Sequence, residues 1–224
     1  VPGGIFIGAD GVRSSVRRQL FPDAEFEPVR VMELVSMARA PRVAELLKGR
    51  LLKTFDPDGG LAVGMVACGY GSVVWFIQYD SDRYEVPNTG PANLRAFSRR
   101  LLGEWPDPLP EVLEATDFNT SYLWRTTDME LASNFRRENA LLIGDAAHPY
   151  LTFTSQGVSS ALNDGLVLGR ALGAVGVTGD LQAGLAAFNT ERHPVAQGFF
   201  DGGRRLKEQF LDPSKAARTV PLLD

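Results

Sequence analysis

The sequence predicts an α/β protein whose two ends frame a β-rich middle, and three observations carry that prediction. Near the start, Ile5, Phe6 and Ile7 run as a short apolar strand into Gly8-Ala9-Asp10-Gly11, and a helical stretch follows. Late in the chain, Leu141, Leu142 and Ile143 run into Gly144-Asp145, and a long helical pattern opens at Gly157. Between them lie strand-length apolar segments punctuated by Asp56-Pro57-Asp58-Gly59-Gly60 and Gly69-Tyr70-Gly71, the spacing of an antiparallel meander.

In order, the pattern predicts a strand over 3–9 and one or two turns of helix over 14–20, ended by Phe21-Pro22-Asp23. Residues 25–40 read as strand and 41–48 as a short helix. Three more strands follow over 51–55, 61–68 and 72–79. Helices over 92–105 and 111–116 precede strands over 121–126 and 140–143. The helix from Gly157 to about Leu172 places Val158, Ala161, Leu162, Leu166, Leu168 and Leu172 roughly on one apolar face. Residues 181–210 read as helix interrupted near Pro194, and 213–224 as a loose tail. The domain division expected is 1–23, 24–128 and 129–224, with the outer two segments forming one domain and the middle a separate lobe.

Bulk composition narrows the function. The 224 residues carry a net charge of −4, with 44% hydrophobic and 22% charged residues, a globular composition. The pI near 5.3 favours neither nucleic acid nor an anionic membrane surface as partner. No stretch approaches the ~20 apolar residues of a membrane span. One cysteine, Cys68, excludes an internal disulfide and reads as a small buried residue, and a reducing, cytoplasmic setting is the simpler expectation. A chain that opens inside a buried strand reads as a fragment or as one piece of a split protein.

The chemistry concentrates at the two strand ends. A carboxylate at the C-terminal edge of a sheet stands where α/β folds bind ligands, and it suits ribose or ribityl hydroxyls. The helix mouth at Gly157 offers N–H groups and a positive dipole end to an electron-rich ligand edge. Glycine there lets a flat ligand approach the backbone closely. Alone, Asp145 reads equally well as the cap of a turn. Asp10 likewise reads as an Asx-type turn, with Arg17, one helical turn from Arg13, solvated or salt-bridged. The two motifs together, in this order, fit that reading less well.

"GADGVRSSVR", "LLIGDAAHP…QG…ALNDG" and "AAFNTERHP" together resemble the single-component flavoprotein aromatic hydroxylases of the p-hydroxybenzoate hydroxylase type, over about residues 3–205. The resemblance implies a partial FAD-binding Rossmann-like domain with an inserted antiparallel β-rich substrate lobe. It implies that Gly144 and Asp145 meet the ribityl or sugar-pyrophosphate region of FAD. Gly157, Val158 and Ser159 present backbone N–H groups to the pyrimidine edge of the flavin, and Asp10 helps hold the cofactor site. Arg39, in "VSMARAP", is the nearest match to an arginine of the substrate lobe; its alternative is a surface arginine at a strand end. The implied reaction is NAD(P)H-driven hydroxylation of an aromatic, enolic or polyketide-like small molecule by molecular oxygen, through a flavin C4a-hydroperoxide.

The chain departs from the family pattern at four places. Thr152 stands where a proline is usual, Ser159 where an asparagine is, and Asn163-Asp164 where an acidic-aspartate pair is. The Gly-x-Gly-x-x-Gly dinucleotide fingerprint is absent, which is consistent with a missing N-terminal segment. The alternatives are a related flavoprotein reductase or halogenase, and a non-catalytic piece that needs a partner for the nucleotide-binding part. No metal site is expected: the two histidines, His148 and His193, lie in separate motifs, and His148 reads as holding its loop by hydrogen bonds. Trp75, Phe76 and Tyr79 read as lining a substrate pocket on one face of their strand, with core packing the alternative for at least half of them.

Overall fold

The computed structural model describes residues 4–215. The chain divides into two compact units, one of residues 1–28 with 127–207, the other of residues 29–126 with 208–224. The expected tail over 216–224 lies outside the described residues.

The first unit opens with β1 (Phe6–Gly8) and α1 (Ser15–Leu20). The second holds β2 (Val31–Arg39), α2 (Pro41–Leu47), β3 (Leu52–Phe55), β4 (Leu61–Ala67), β5 (Ser72–Asp80), α3 (Pro91–Leu102), α4 (Leu109–Glu114) and β6 (Tyr122–Thr126). Back in the first unit come β7 (Arg136–Arg137), β8 (Ala140–Leu142), α5 (Gly157–Thr178) and α6 (Leu181–Leu211), whose last residues count with the second unit.

In the first unit β1 and β8 pair in parallel, with Gly8 opposite Leu142, and β7 closes the other side of β8 antiparallel. Parallel neighbours so far apart in the chain cannot be joined by a tight turn. Leu141, Leu142, Val167, Leu168, Leu185 and Phe188 form the core beneath them. Gly8 is required by close approach: a Cβ there would lie 2.7 Å from Leu142 and 2.8 Å from Val16.

In the second unit the strand order is β3-β4-β5-β2-β6, antiparallel throughout. Alternation puts Leu34, Val63, Met65, Trp75, Ile77 and Tyr79 on one face, in the core shared with Leu94, Phe97, Leu102 and Val112 of the helices. The Trp75 indole N–H donates to Thr116 Oγ1 at 2.9 Å. Phe76 takes the opposite face, so the three aromatics divide between the two sides.

Four expectations are corrected. The helix from Gly157 runs to Thr178 and stops at Gly179 in the left-handed region, because Gly173 and Gly176 lower helix propensity without ending the helix. Its apolar residues do not share one face: Val167 and Leu168 are buried, whereas Val158, Leu162 and Leu166 are 76%, 67% and 68% exposed. Helix α6 continues through Pro194, which removes one hydrogen bond from a helix long enough to carry the loss. Cys68 is exposed, because it follows the last residue of β4 and faces the turn at Gly69.

Candidate functional site

Asp10 stands two residues beyond β1, and its carboxylate is engaged by the start of α1. It accepts from the Ser14 hydroxyl, from Ser15 N–H at 2.7 Å, from Ser15 Oγ at 2.9 Å and from Val16 N–H at 3.2 Å. The Ser14 hydrogen bond above all, against a smaller desolvation, holds this carboxyl well below the ordinary range. Ser14 itself accepts from Arg17 N–H at 2.8 Å. Asp10 therefore organises a helix N-terminus.

Arg17 does more than its place in the sequence suggests. It is buried, and its Nη1 donates to the carbonyls of Asp145 and Ala146, each at 3.0 Å. Its other arm donates to Val12 O, and the guanidinium lies 5.2 Å from the Phe26 ring centroid. One side chain from the first motif thus fixes the backbone of the second.

Beyond β8 the chain turns through Gly144–Ala146 in a single 3-10 turn. Gly144 has φ +57°, and a Cβ there would come within 3.2 Å of Ala161, so this turn needs glycine. The Gly144 N–H donates to Asp164 Oδ2 at 2.7 Å, and His148 Nε2 lies 2.7 Å from the same oxygen. Arg192 Nε donates to Asp164 Oδ1 at 2.6 Å, and Arg192 also reaches the Ser160 hydroxyl at 2.8 Å. Tyr150 stacks on the imidazole with centroids 4.7 Å apart, and its hydroxyl lies 3.2 Å from Ser160 Oγ. Burial alone would raise the Asp164 carboxyl, but the His148, Gly144 and Arg192 contacts outweigh it and hold the group below its ordinary value. His148 therefore holds the loop, as the sequence suggests; nothing in the sequence pattern points to its partners Asp164 and Arg192.

The result is an outward-facing Asp145. Its main chain is held by Arg17, and its exposed carboxylate accepts no hydrogen bond from the described residues. Opposite stands the mouth of α5, where no side chain caps the helix. A Cβ built on Gly157 would meet only Asp145 Oδ1, at 3.9 Å. Val158 and Ser159, the next two residues of the first turn, are not buried, and Val158 is among the most exposed apolar residues of the chain. An acceptor and a set of helix-terminal N–H donors thus face one open space, which suits a polyol chain on one side and an electron-rich ring edge on the other. Arg39 lies elsewhere, exposed at the end of β2 in the other unit. Among the described residues no cluster of three or more metal-ligating side chains occurs, and no helix is long and apolar enough to cross a membrane.

The family model described as FAD binding domain matches residues 5–202. The aurachin C monooxygenase/isomerase of Stigmatella aurantiaca is 30% identical over 207 residues, covering 91% of this chain and 51% of that protein. The 3-amino-4-hydroxybenzoate 2-monooxygenase of Streptomyces cremeus is 30% identical over 220 residues, covering 93% and 50%. Among solved structures, P. aeruginosa PqsL in complex with 2-aminobenzoylacetate aligns with a TM-score of 0.78 at 25% identity, over 94% of this chain and 57% of that one. Klebsiella pneumoniae HpxO complexed with FAD and uric acid aligns with a TM-score of 0.80 at 20% identity, over 91% and 51%, a likeness of fold. The chain spans about half the length of the curated relatives it matches. With strand-end carboxylates on neighbouring parallel strands, an uncapped helix mouth and a match over residues 5–202, the chain belongs to the FAD binding domain family.

Proposed function

We propose that the whole protein is an FAD-dependent monooxygenase that takes electrons from NADH or NADPH and hydroxylates an aromatic or enolic small molecule with molecular oxygen. In this reading Asp145 accepts hydrogen bonds from the ribityl or sugar region of FAD. The N–H groups of Gly157, Val158 and Ser159 meet the pyrimidine edge of the flavin. Asp10 and Arg17 keep the two strand ends in register. When bound, FAD supplies electron storage and oxygen activation; the protein supplies position, charge and exclusion of water. The unit built on residues 29–126 serves as the substrate lobe.

The observation that carries this reading is the pairing of an unengaged Asp145 carboxylate with an uncapped, glycine-opened helix. The proposal includes a further segment that brings the phosphate-cradling turn. Two observations support that part: no Gly-x-Gly-x-x-Gly occurs in the 224 residues, and Phe6 and Ile7, on opposite faces of the edge strand β1, are 60% and 39% exposed. A parallel strand is ordinarily covered on both sides.

Flavin fluorescence titration tests it. A version extended at the N-terminus is expected to bind FAD stoichiometrically, and the 224-residue chain at least tenfold more weakly; tenfold corresponds to about 1.4 kcal/mol. No FAD binding by the extended version, or FAD binding indifferent to Asp145→Ala, overturns the assignment.

A further inference from the structure

Strand β3 forms one edge of the five-stranded sheet. The hydrogen-bond pattern says which of its peptide groups the sheet engages. Asp56 N–H donates to Leu61 O at 2.9 Å, so these two residues are a hydrogen-bonded pair of the antiparallel ladder. Alternation makes Thr54 with Val63, and Leu52 with Met65, pairs of the same kind. The N–H and C=O groups of Lys53 and Phe55 therefore point away from β4, outward from the sheet edge.

Natural sheet edges are usually blunted by an outward charge, a proline or a bulge. Residues 52–55 contain no proline and pair with β4 without a bulge. Their one charge is drawn inward: the Lys53 ammonium donates to the Gln78 side-chain carbonyl and lies 5.1 Å from the Phe55 centroid and 5.7 Å from that of Phe76, over its own sheet. Apolar side chains gather along the edge instead. Leu51, Leu52 and Phe55, with Leu46 of α2, are 54%, 42%, 54% and 52% exposed. Charge is divided between the two ends of the strand. Lys48 and Arg50 precede it, and Asp56 and Asp58 follow it, Arg50 and Asp58 both exposed. A strand with opposite charges at its ends is complementary to a reversed copy of itself. The other edge strand, β6, carries one charge, Arg125, and no acidic residue.

We propose that two copies of this chain associate through their β3 strands, antiparallel about a two-fold axis at Thr54, so that the two sheets become one. The side chains decide the register. Only residues on the same face can stand opposite each other across a pleated edge, so the axis passes through a residue, not between two. An axis at Lys53 would oppose like charges. One at Phe55 would set Lys53 against Pro57 of the second copy, which has no N–H. One at Leu52 would leave the acidic ends without a partner. With Thr54 on the axis, Lys53 stands opposite Phe55 of the second copy, and each such pair exchanges two hydrogen bonds through the outward peptide groups. Thr54 meets Thr54 as a non-hydrogen-bonded pair. Arg50 comes beside Asp58 of the second copy, and the symmetry repeats that contact. The strand is short, so the association is a reversible one, smaller than an obligate interface.

Sedimentation velocity on the full chain over a concentration series tests it, with circular-dichroism melts confirming that each variant is folded. The dimer fraction is expected to rise with concentration. Arg50→Glu and Asp58→Arg should each weaken dimerisation about tenfold, because each opposes like charges at both symmetry-related contacts, and the two changes together should restore it. Cross-linking reads the register separately, in a Cys68→Ser background because Cys68 is exposed. Thr54→Cys should form an intermolecular disulfide on oxidation, since the Cα atoms of a non-hydrogen-bonded pair lie about 4.5 Å apart. Leu52→Cys should not, since its two copies would stand roughly 13 Å apart along the strands. A chain that stays monomeric throughout, a dimer indifferent to both single charge reversals or not restored by the double change, or a Leu52→Cys cross-link as efficient as that of Thr54→Cys overturns the proposal.

Discussion

His148 Nε2 and the Asp164 carboxylate meet at 2.7 Å with both side chains sealed from solvent, and Arg192 closes on the other oxygen at 2.6 Å. An ionised carboxylate only accepts, so the imidazole proton at this contact lies on Nε2. The same carboxylate takes the Gly144 N–H. Asp164 therefore joins three separate stretches, the turn at 144–148, α5 and α6, at one buried point.

Removing that charge should be costly. Asp164→Asn leaves Arg192 buried without its counter-ion, a change worth about 3–5 kcal/mol. Urea unfolding is the measurement. Asp164→Asn paired with Arg192→Met should be less destabilised than Asp164→Asn alone, because the second change removes the uncompensated charge. A doubly altered protein that is less stable by the sum of the two single effects would show that the pair is not coupled.

The same group sets an acid limit. The Asp164 pKa is depressed in the folded state, so its stabilisation is complete above the ordinary value of 3.8 and is lost as pH falls below it toward the folded value. Thermal melts should show the gap between the unaltered protein and Asp164→Asn constant above about pH 5 and narrowing on further acidification. A gap that widened in acid would mean the opposite sign of shift.

Gly64 makes a packing prediction. Its absent side chain is the space in which Phe76 lies, with a Cβ position 2.2 Å from the ring. Gly64→Ala must displace that ring. The expected cost is about 1–3 kcal/mol, read by urea unfolding; a neutral Gly64→Ala would mean that the ring turns aside freely.

Much of this architecture is legible in the sequence, and the limits have physical causes. Turn residues at 56–60 and 69–71 mark the β3-β4-β5 meander because Gly, Pro and Asp act locally. The strand-Gly-Asp signals at Asp10 and Asp145 are local too, and the structure sets both at the C-terminal ends of parallel neighbours. What the sequence hides is non-local. Arg17 seeks carbonyls 128 and 129 residues away, and Asp164 gathers partners at 144, 148 and 192, pairings no periodicity encodes. Helix α5 misleads because it is apolar on two sides, with Val158, Leu162 and Leu166 exposed. A hydrophobic pattern says that a face will be covered, not by what.

The two aspartates of the strand ends should separate cleanly under mutation. Asp10 accepts four hydrogen bonds from its own helix N-terminus, so Asp10→Ala should lower stability by about 1 kcal/mol, the usual worth of such a cap. Asp145 gives its carboxylate to no described residue and is held through its carbonyl by Arg17, an interaction that Asp145→Ala preserves. Asp145→Ala should therefore leave the melting temperature within about two degrees, since surface changes of this kind are usually within about ±0.5 kcal/mol. In the N-terminally extended protein the order reverses for the cofactor. Asp145→Ala should weaken FAD binding roughly tenfold, the scale of one lost hydrogen bond to a charged group, whereas Asp10→Ala should weaken it only as far as the fold loosens. Gly157→Ala completes the comparison: its Cβ has room against the chain, with nothing closer than Asp145 at 3.9 Å, but stands where the ring edge must approach. It should lose FAD affinity without losing stability. Melts and flavin titrations on the three variants decide it, and an Asp145→Ala protein that unfolds early but keeps its flavin would make Asp145 a structural residue like Asp10.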